Sequence, residues 1–454
     1  MSSRLAKCPH PGLAERVCAK HLRGVILVFC LSPLIWSGCK KSDHVEPTSA
    51  TQPTPEAPET PSPPEPTPAA PLPLLTIPYK KLDTARLFNG IQVKTTLSAE
   101  FGGTATTERQ DPSSYELDLQ LRVRVPKPHQ SVAELQKLNP ELSRVLPDLE
   151  LLLQNAKVSP LYEELYDRKI ANLQTNLTRL DALLSRHNFF DIETILEVES
   201  PVTHRKALLL QSDMDVDTDG SDGDRVSTLD PISSTFQPFT SYRWPKRTQK
   251  PNPFLAVWEK RLKDTDKDLG APNLTPVRLK ELQELKGNLK QQIIDLKKQS
   301  FLVGNIDPYV VLPLPMVARK DGQPAAKIGD FCVIIHGNQL WPCIIGDAGP
   351  SYKMGEASLR LCREMNPRSS SNARAESDLK VTYLVFPGTA EAQRAVPSLE
   401  KWWLRCDALL GELGGYRGEL TYLEDLTKPR STPPPWEPTF IGPSPDFYGP
   451  PSPW

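Results

Sequence analysis

Asp347 and Glu356 stand near the two ends of the segment Gly346-Asp347-Ala348-Gly349-Pro350-Ser351-Tyr352-Lys353-Met354-Gly355-Glu356-Ala357-Ser358, in which glycine and proline shape a loop between two apolar runs. The run before it, Leu340 to Ile345, reads as a strand, so Asp347 falls at a strand end and Glu356 opens the next element. Two carboxylates brought to one cleft can divide acid and base work. One protonates a leaving oxygen while the other activates water or attacks carbon, the demand made by a glycosidic bond. A separation of roughly 6.5 to 9.5 Å admits the water and inverts configuration, whereas about 5 Å implies retention. Taken alone, an Asp and a Glu in one loop are more often surface or capping residues.

A second acidic stretch runs Asp213-Met214-Asp215-Val216-Asp217-Thr218-Asp219-Gly220. As a strand it places Asp213, Asp215 and Asp217 on one face, with Met214 and Val216 on the other. Such a row within low-dielectric walls attracts a cationic ligand, for instance an amino sugar. Asp215, Asp217 and Asp219 also have the spacing that opens a calcium loop. Val226 stands where the bidentate Glu belongs, which excludes a full EF-hand. A solvated acidic turn is the third reading. Asp307 before Pro308, and His336 and Asn338 at a predicted hairpin turn, are further candidate substrate contacts, with plain turn formation as the alternative for each. No Gly-rich phosphate loop, zinc-ligand spacing or Ser nucleophile elbow occurs, which removes the main competing enzyme classes.

Strands and helices alternate in blocks along the chain. Ile91–Lys94 and Tyr115–Leu121 alternate apolar with polar residues, as half-buried strands do. From Ser131 to His187 the period becomes helical, with Leu173, Leu177, Leu180 and Leu184 as one stripe and Pro140, Pro147 and Pro160 as breaks. A helical hairpin is predicted over 254–299, with Thr275-Pro276 as N-cap and first-turn proline. Its basic residues, Lys260, Arg261, Lys263, Lys267, Lys286 and Lys297, read as a solvated helix face rather than a nucleic-acid patch. Strands return at Tyr309–Leu314, Phe331–His336, Leu340–Ile345 and Val381–Phe386.

The 454 residues include 48 prolines, only 38% are hydrophobic, and the formal net charge is −1. One sizeable domain with unfolded ends is therefore expected, and no global field draws nucleic acid or an anionic membrane. A basic leader precedes the apolar run Gly24–Trp36 and Ser37-Gly38-Cys39, the layout of a secretory signal over residues 1–39. Cys39 is the expected lipid-bearing residue, with plain cleavage or an uncleaved anchor as the alternatives. Residues 40–75 read as a disordered Pro-rich stalk, and 429–454 as a Pro-rich tail whose aromatic residues either stack on sugars or strap the domain. Cys332, Cys343, Cys362 and Cys406 remain after export, either as two disulfides, Cys332–Cys343 first, or as four buried thiols.

The Gly346-Asp347 to Met354-Gly355-Glu356-Ala357-Ser358 segment after the Gly-Asn-Gln turn resembles the signature of the glycoside hydrolase family 75 chitosanases. The upstream Asp-rich strand and Phe386-Pro387-Gly388 are similar to two further elements of that family, in the same order. The resemblance covers roughly Lys206 to Pro429, with the helical hairpin as an insertion absent from short fungal members. It implies endo-hydrolysis of β-1,4-linked glucosamine in chitosan with inversion, by Asp347 and Glu356, no cofactor being required and calcium being the one metal considered. The higher unperturbed pKa of Glu assigns Glu356 as the acid and Asp347 as the base. The expected fold is α+β: a mainly β, barrel-like core of the double-psi type, with helical insertions and disordered ends. The catalytic domain is placed at 206–428 and a strand-plus-helix region of unassigned role at 76–205. The expected protein is a secreted or cell-surface, lipid-anchored monomer. A non-catalytic carbohydrate-binding lipoprotein and a hydrolase of another amino-sugar polymer are the competing readings.

Overall fold

The computed structural model describes residues 75–77, 97–99, 102–183, 188, 190–229, 233, 235–318 and 325–428. The leader, Cys39, the stalk up to residue 74, the strand expected at Ile91–Lys94 and the tail lie outside them. The chain divides into two units, Met1–Gln120 and Leu121–Trp454. In the first, Leu75–Ile77 pairs antiparallel with Leu97–Ala99. The strand expected at Tyr115–Leu121 does not form. Tyr115 is 91% exposed and Leu117 67% exposed, and the segment has no ladder partner among the described residues. Alternation supplies a face to bury, but an unpaired backbone gains nothing from the extended form.

In the second unit the strands are β1 (Ile192–Glu199), β2 (Lys206–Asp217), β3 (Tyr309–Pro313), β4 (Phe331–His336), β5 (Gln339–Gly349), β6 (Glu356–Ser358) and β7 (Glu376–Val385). The main helices are α1 (Pro160–Thr175), α2 (Leu255–Leu269), α3 (Pro276–Lys298), α4 (Leu359–Met365) and α5 (Leu399–Leu413). The ring β2-β6-β3-β5-β4-β7 closes on itself as a six-stranded mixed barrel, with β2–β6 and β3–β5 parallel and the other pairs antiparallel. β2 is long enough to serve three partners. One edge pairs with β7, while the other pairs with β1 along Lys206–Ser212 and then with β6 along Asp215–Asp217.

The boundary expected at 205/206 is therefore crossed by the sheet. One continuous core includes Leu135, Leu149 and Tyr166 ahead of that point and Val333, Ile345 and Leu409 after it. The prolines break the preceding helices as expected, Pro160 taking the first turn of α1. The leucine stripe is interrupted, however: α1 ends at Thr175, and Leu177 and Leu180 are partly exposed. The hairpin α2/α3 forms, with Thr275 Oγ1 accepting from Arg278 N at 3.2 Å, over its own aromatic cluster of Phe236, Phe254, Trp258 and Phe301. The four cysteines are buried thiols. Cys332 and Cys343 face each other directly across β4/β5, and burial pushes the Cys343, Cys362 and Cys406 thiols up, which makes them unreactive. Among the described residues no helix is long and apolar enough to cross a membrane.

Candidate active site

The site is built where β5 is irregular. Ile345 pairs with Val310 and Asp347 with Val311, so Gly346 is an extra residue in the strand. A Cβ on Gly346 would lie 2.6 Å from the Tyr309 side chain, which only glycine avoids. A bulge of this kind re-aims the next side chain, here Asp347. The Gly346 carbonyl accepts Tyr242 N–H at 2.8 Å, and this draws the neighbouring Ser241 against Asp347. Asp347 Oδ1 accepts Ser241 N–H at 3.0 Å, Ser241 Oγ–H at 2.5 Å and Ala348 N–H at 2.7 Å.

Glu356 enters from the other side of β3. It pairs with Val311 in the antiparallel sense, so Asp347, Val311 and Glu356 form one row across three strands. Two strand spacings set the backbones of the two acids about 9.5 Å apart, with their side chains on one face. The Glu356 carboxylate leans over Val311: a Cβ on Gly349 would sit 3.6 Å from its Oε2. On its far side Glu356 pairs with Asp215, and Lys353 Nζ bridges the two at 2.8 Å from Glu356 Oε1 and 3.4 Å from Asp215 Oδ2.

The electrostatics of Asp347 follow from its burial and its partners. Removal from water raises the Asp347 carboxyl, the Ser241 and Ala348 bonds lower it, and the Glu356 charge adds to the rise, leaving it at about 6. Burial works against the Lys353 charge, but Glu356 and then Asp215 more than offset this and hold the ammonium above its ordinary value. Beneath the pair, burial and the charges of Glu356 and Asp347 push Asp217 up to about 8, and burial with the Asp217 charge pushes Asp219 up to about 10. Tyr309 Oη donates to Asp217 Oδ2 at 3.1 Å.

The fold thus brings Asp347, Glu356, Asp215 and Asp217 together, and several expected contacts fall elsewhere. Asp213 lies in the same strand row but its carboxylate is taken by Arg374. Asp307 is 2% exposed and forms a two-point pair with the Arg225 guanidinium at 2.8 and 2.7 Å, while Asp307 Oδ2 also accepts Val303 N–H. That occupies both oxygens, so Asp307 is structural. His336 and Asn338 sit at the β4–β5 turn, as expected, but Asp347 lies at the far end of β5, about 25 Å along the strand. His336 Nε2 is 3.1 Å from Glu376 Oε2. Among the described residues no group of three or more His, Cys, Asp or Glu side chains converges to hold a metal ion. Of the three acids of the calcium-like spacing, Asp215 is drawn to Lys353 and Asp219 Oδ1 accepts Gln237 N–H.

Sequence reasoning missed Ser241, Tyr309, Lys353 and Arg374. Only Lys353 carried a local signal, a cation inside the acidic loop. The others reach the site from distant segments.

Two carboxylates on one face of a closed barrel, over further acidic residues, are the groups that glycoside hydrolysis requires. Residues 214–403 match the family described as fungal chitosanase of glycosyl hydrolase group 75, a family of glycoside hydrolases, and this match supports assigning that segment to it. No curated protein matches the chain closely enough to show kinship.

Proposed function

We propose that the enzyme hydrolyses internal β-1,4-glucosamine linkages of chitosan with inversion, and that Asp347 is the acid and Glu356 the base. The observation that carries this reading is the shared register of Asp347 and Glu356 on Val311, which leaves room between them for a sugar carbon and a water. The role assignment reverses the one expected from residue type. Asp347, raised to about 6, keeps its proton into the weakly acidic range, and Oδ1 holds all three hydrogen bonds, leaving Oδ2 to face the leaving oxygen. Glu356, 2.8 Å from the Lys353 ammonium and in register with Asp347 across β3, takes the base role. The same acidic row suits an amine-bearing polymer. The locus between Glu356 and Asp215 already stabilises one buried ammonium, that of Lys353, and Asp215 and Asp217 extend the negative wall beyond it.

The test is release of reducing ends from fully deacetylated chitosan, with the anomer of the first product followed by proton NMR. Asp347→Asn and Glu356→Gln should each lower kcat by about 100-fold or more, and the first product should be the α-anomer. A β-anomer would exclude inversion, and intact chitosan after prolonged incubation would remove the substrate assignment. Export, with anchoring through Cys39 and a stalk that holds the enzyme at the polymer, completes the proposal. Its check is loss of membrane association in Cys39→Ser.

A further inference from the structure

The loop that joins the two catalytic strands is held from outside the family-matched segment. On α1, Leu161, Leu165, Lys169 and Leu173 follow one another at helical spacing along the buried face, and Lys169 is 0% exposed. A lysine in that position is strongly unfavourable unless its ammonium is paired and hydrogen-bonded. Lys169 Nζ lies 2.7 Å from Asp191 Oδ1 and donates to Tyr352 O at 2.5 Å. Asp191 Oδ2 in turn accepts Met354 N–H at 2.9 Å. The pair therefore grips the backbone at alternate residues of the loop, 352 and 354. Between them Lys353 turns its side chain to Glu356 and Asp215. Asp191 sits immediately before β1, where β1 gives way to β6 as the partner of β2, and its carbonyl accepts Ser212 Oγ–H. Next to the grip, Gly355 has φ +74°, and a Cβ there would lie 2.1 Å from Asp213 Oδ1. The loop has one seat and no slack at this point.

We propose that Lys169 and Asp191 are positioning residues of the active site: they fix the backbone of Tyr352 and Met354, and so hold Lys353 against Glu356 at a set distance from Asp347. This gives the helical region before residue 205 a direct part in the reaction, and it rests on the reading of Glu356 as the base. The charged groups around the pair are Lys353 and Asp213, and those around Glu356 are Lys353, Asp215, Asp217 and Asp347. A buried pair that served stability alone would be replaceable by apolar side chains of similar volume. A positioning pair would not.

The experiment uses the full chain carrying Lys169→Met with Asp191→Leu, and separately Asp191→Asn and Lys169→Arg. Hydrogen exchange at the Met354 amide, the melting temperature, and kcat and KM on chitosan across pH are read for each. The double variant should melt close to the wild type, exchange Met354 much faster, and lose about 100-fold in kcat, the scale of a 1 Å misplacement, with little change in KM. Lys169→Arg should recover part of the rate. A folded double variant with wild-type kcat overturns the proposal. If the double variant does not fold, Asp191→Asn decides: a loss of kcat at unchanged melting temperature supports positioning, and wild-type kcat refutes it. Inactivity of the wild type on chitosan would instead refute the substrate reading, while exchange at Met354 still reports on the grip.

Discussion

Asp347 and Glu356 register on the same residue, Val311, from opposite edges of β3. Their spacing is thus a property of the sheet rather than of the loop between them. A sheet fixes neighbouring strands about 4.8 Å apart, so the backbones of two acids on alternate strands are held about 9.5 Å apart.

The pH dependence should report Asp347. As the acid it must be protonated, so kcat/KM of the free enzyme should fall as pH rises through about 6. Ser241 Oγ lowers this carboxyl by donating to Oδ1. Ser241→Ala should therefore move the basic limb to higher pH, by about one unit for a single lost bond to a charged group. A limb that stays in place would separate Asp347 from the acid role.

Stability should depend on the acids beneath the pair. The Asp217 carboxyl is lifted from its ordinary value of 3.8 to about 8 in the fold, so the folded state binds the proton more tightly than the unfolded chain. The stability associated with that proton is fully present below about 4 and is lost as pH rises through about 8. Asp217→Asn carries no such titration. Its melting temperature should match the wild type near pH 4 and exceed it increasingly toward pH 8, as differential scanning calorimetry would show.

Asp307 should matter to the fold and not to the substrate. Asp307→Asn leaves the buried Arg225 guanidinium with Asp222 alone and should cost about 3 kcal/mol in urea unfolding. At temperatures where the variant is folded, KM should be unchanged. A raised KM would return Asp307 to the site.

Gly355→Ala tests the seat of the catalytic loop. A positive φ costs a side chain about 1–3 kcal/mol, and the clash with Asp213 adds to it. Lower melting temperature and lower kcat are expected together, because Glu356 is the next residue.

Much of this protein follows from local pattern. The hairpin at Gly337-Asn338, the Asp-bearing strand and the α2/α3 hairpin with its Thr275 cap are visible because each depends on a period, a turn or a cap written in consecutive residues. The α+β class with a barrel-like core was readable for the same reason. What local pattern misjudged were contacts set by distant partners. Tyr115–Leu121 has the alternation of a strand and no strand to pair with, and Asp307 has the type of a ligand and an arginine that takes both its oxygens.

The sequence by itself determined which acids are present, how the loop between them is shaped, and the family that its motifs resemble. Only the tertiary structure decided that the Asp347 carboxyl is raised. That depends on the loss of water around it, the Ser241 donors that oppose the rise and the nearby Glu356 charge, all properties of residues gathered from separate segments and of a dielectric that exists only once the barrel has closed. The part played by Lys169 belongs to the same category: in the chain it is one cation in a leucine stripe, and in the fold it anchors the loop that carries the site.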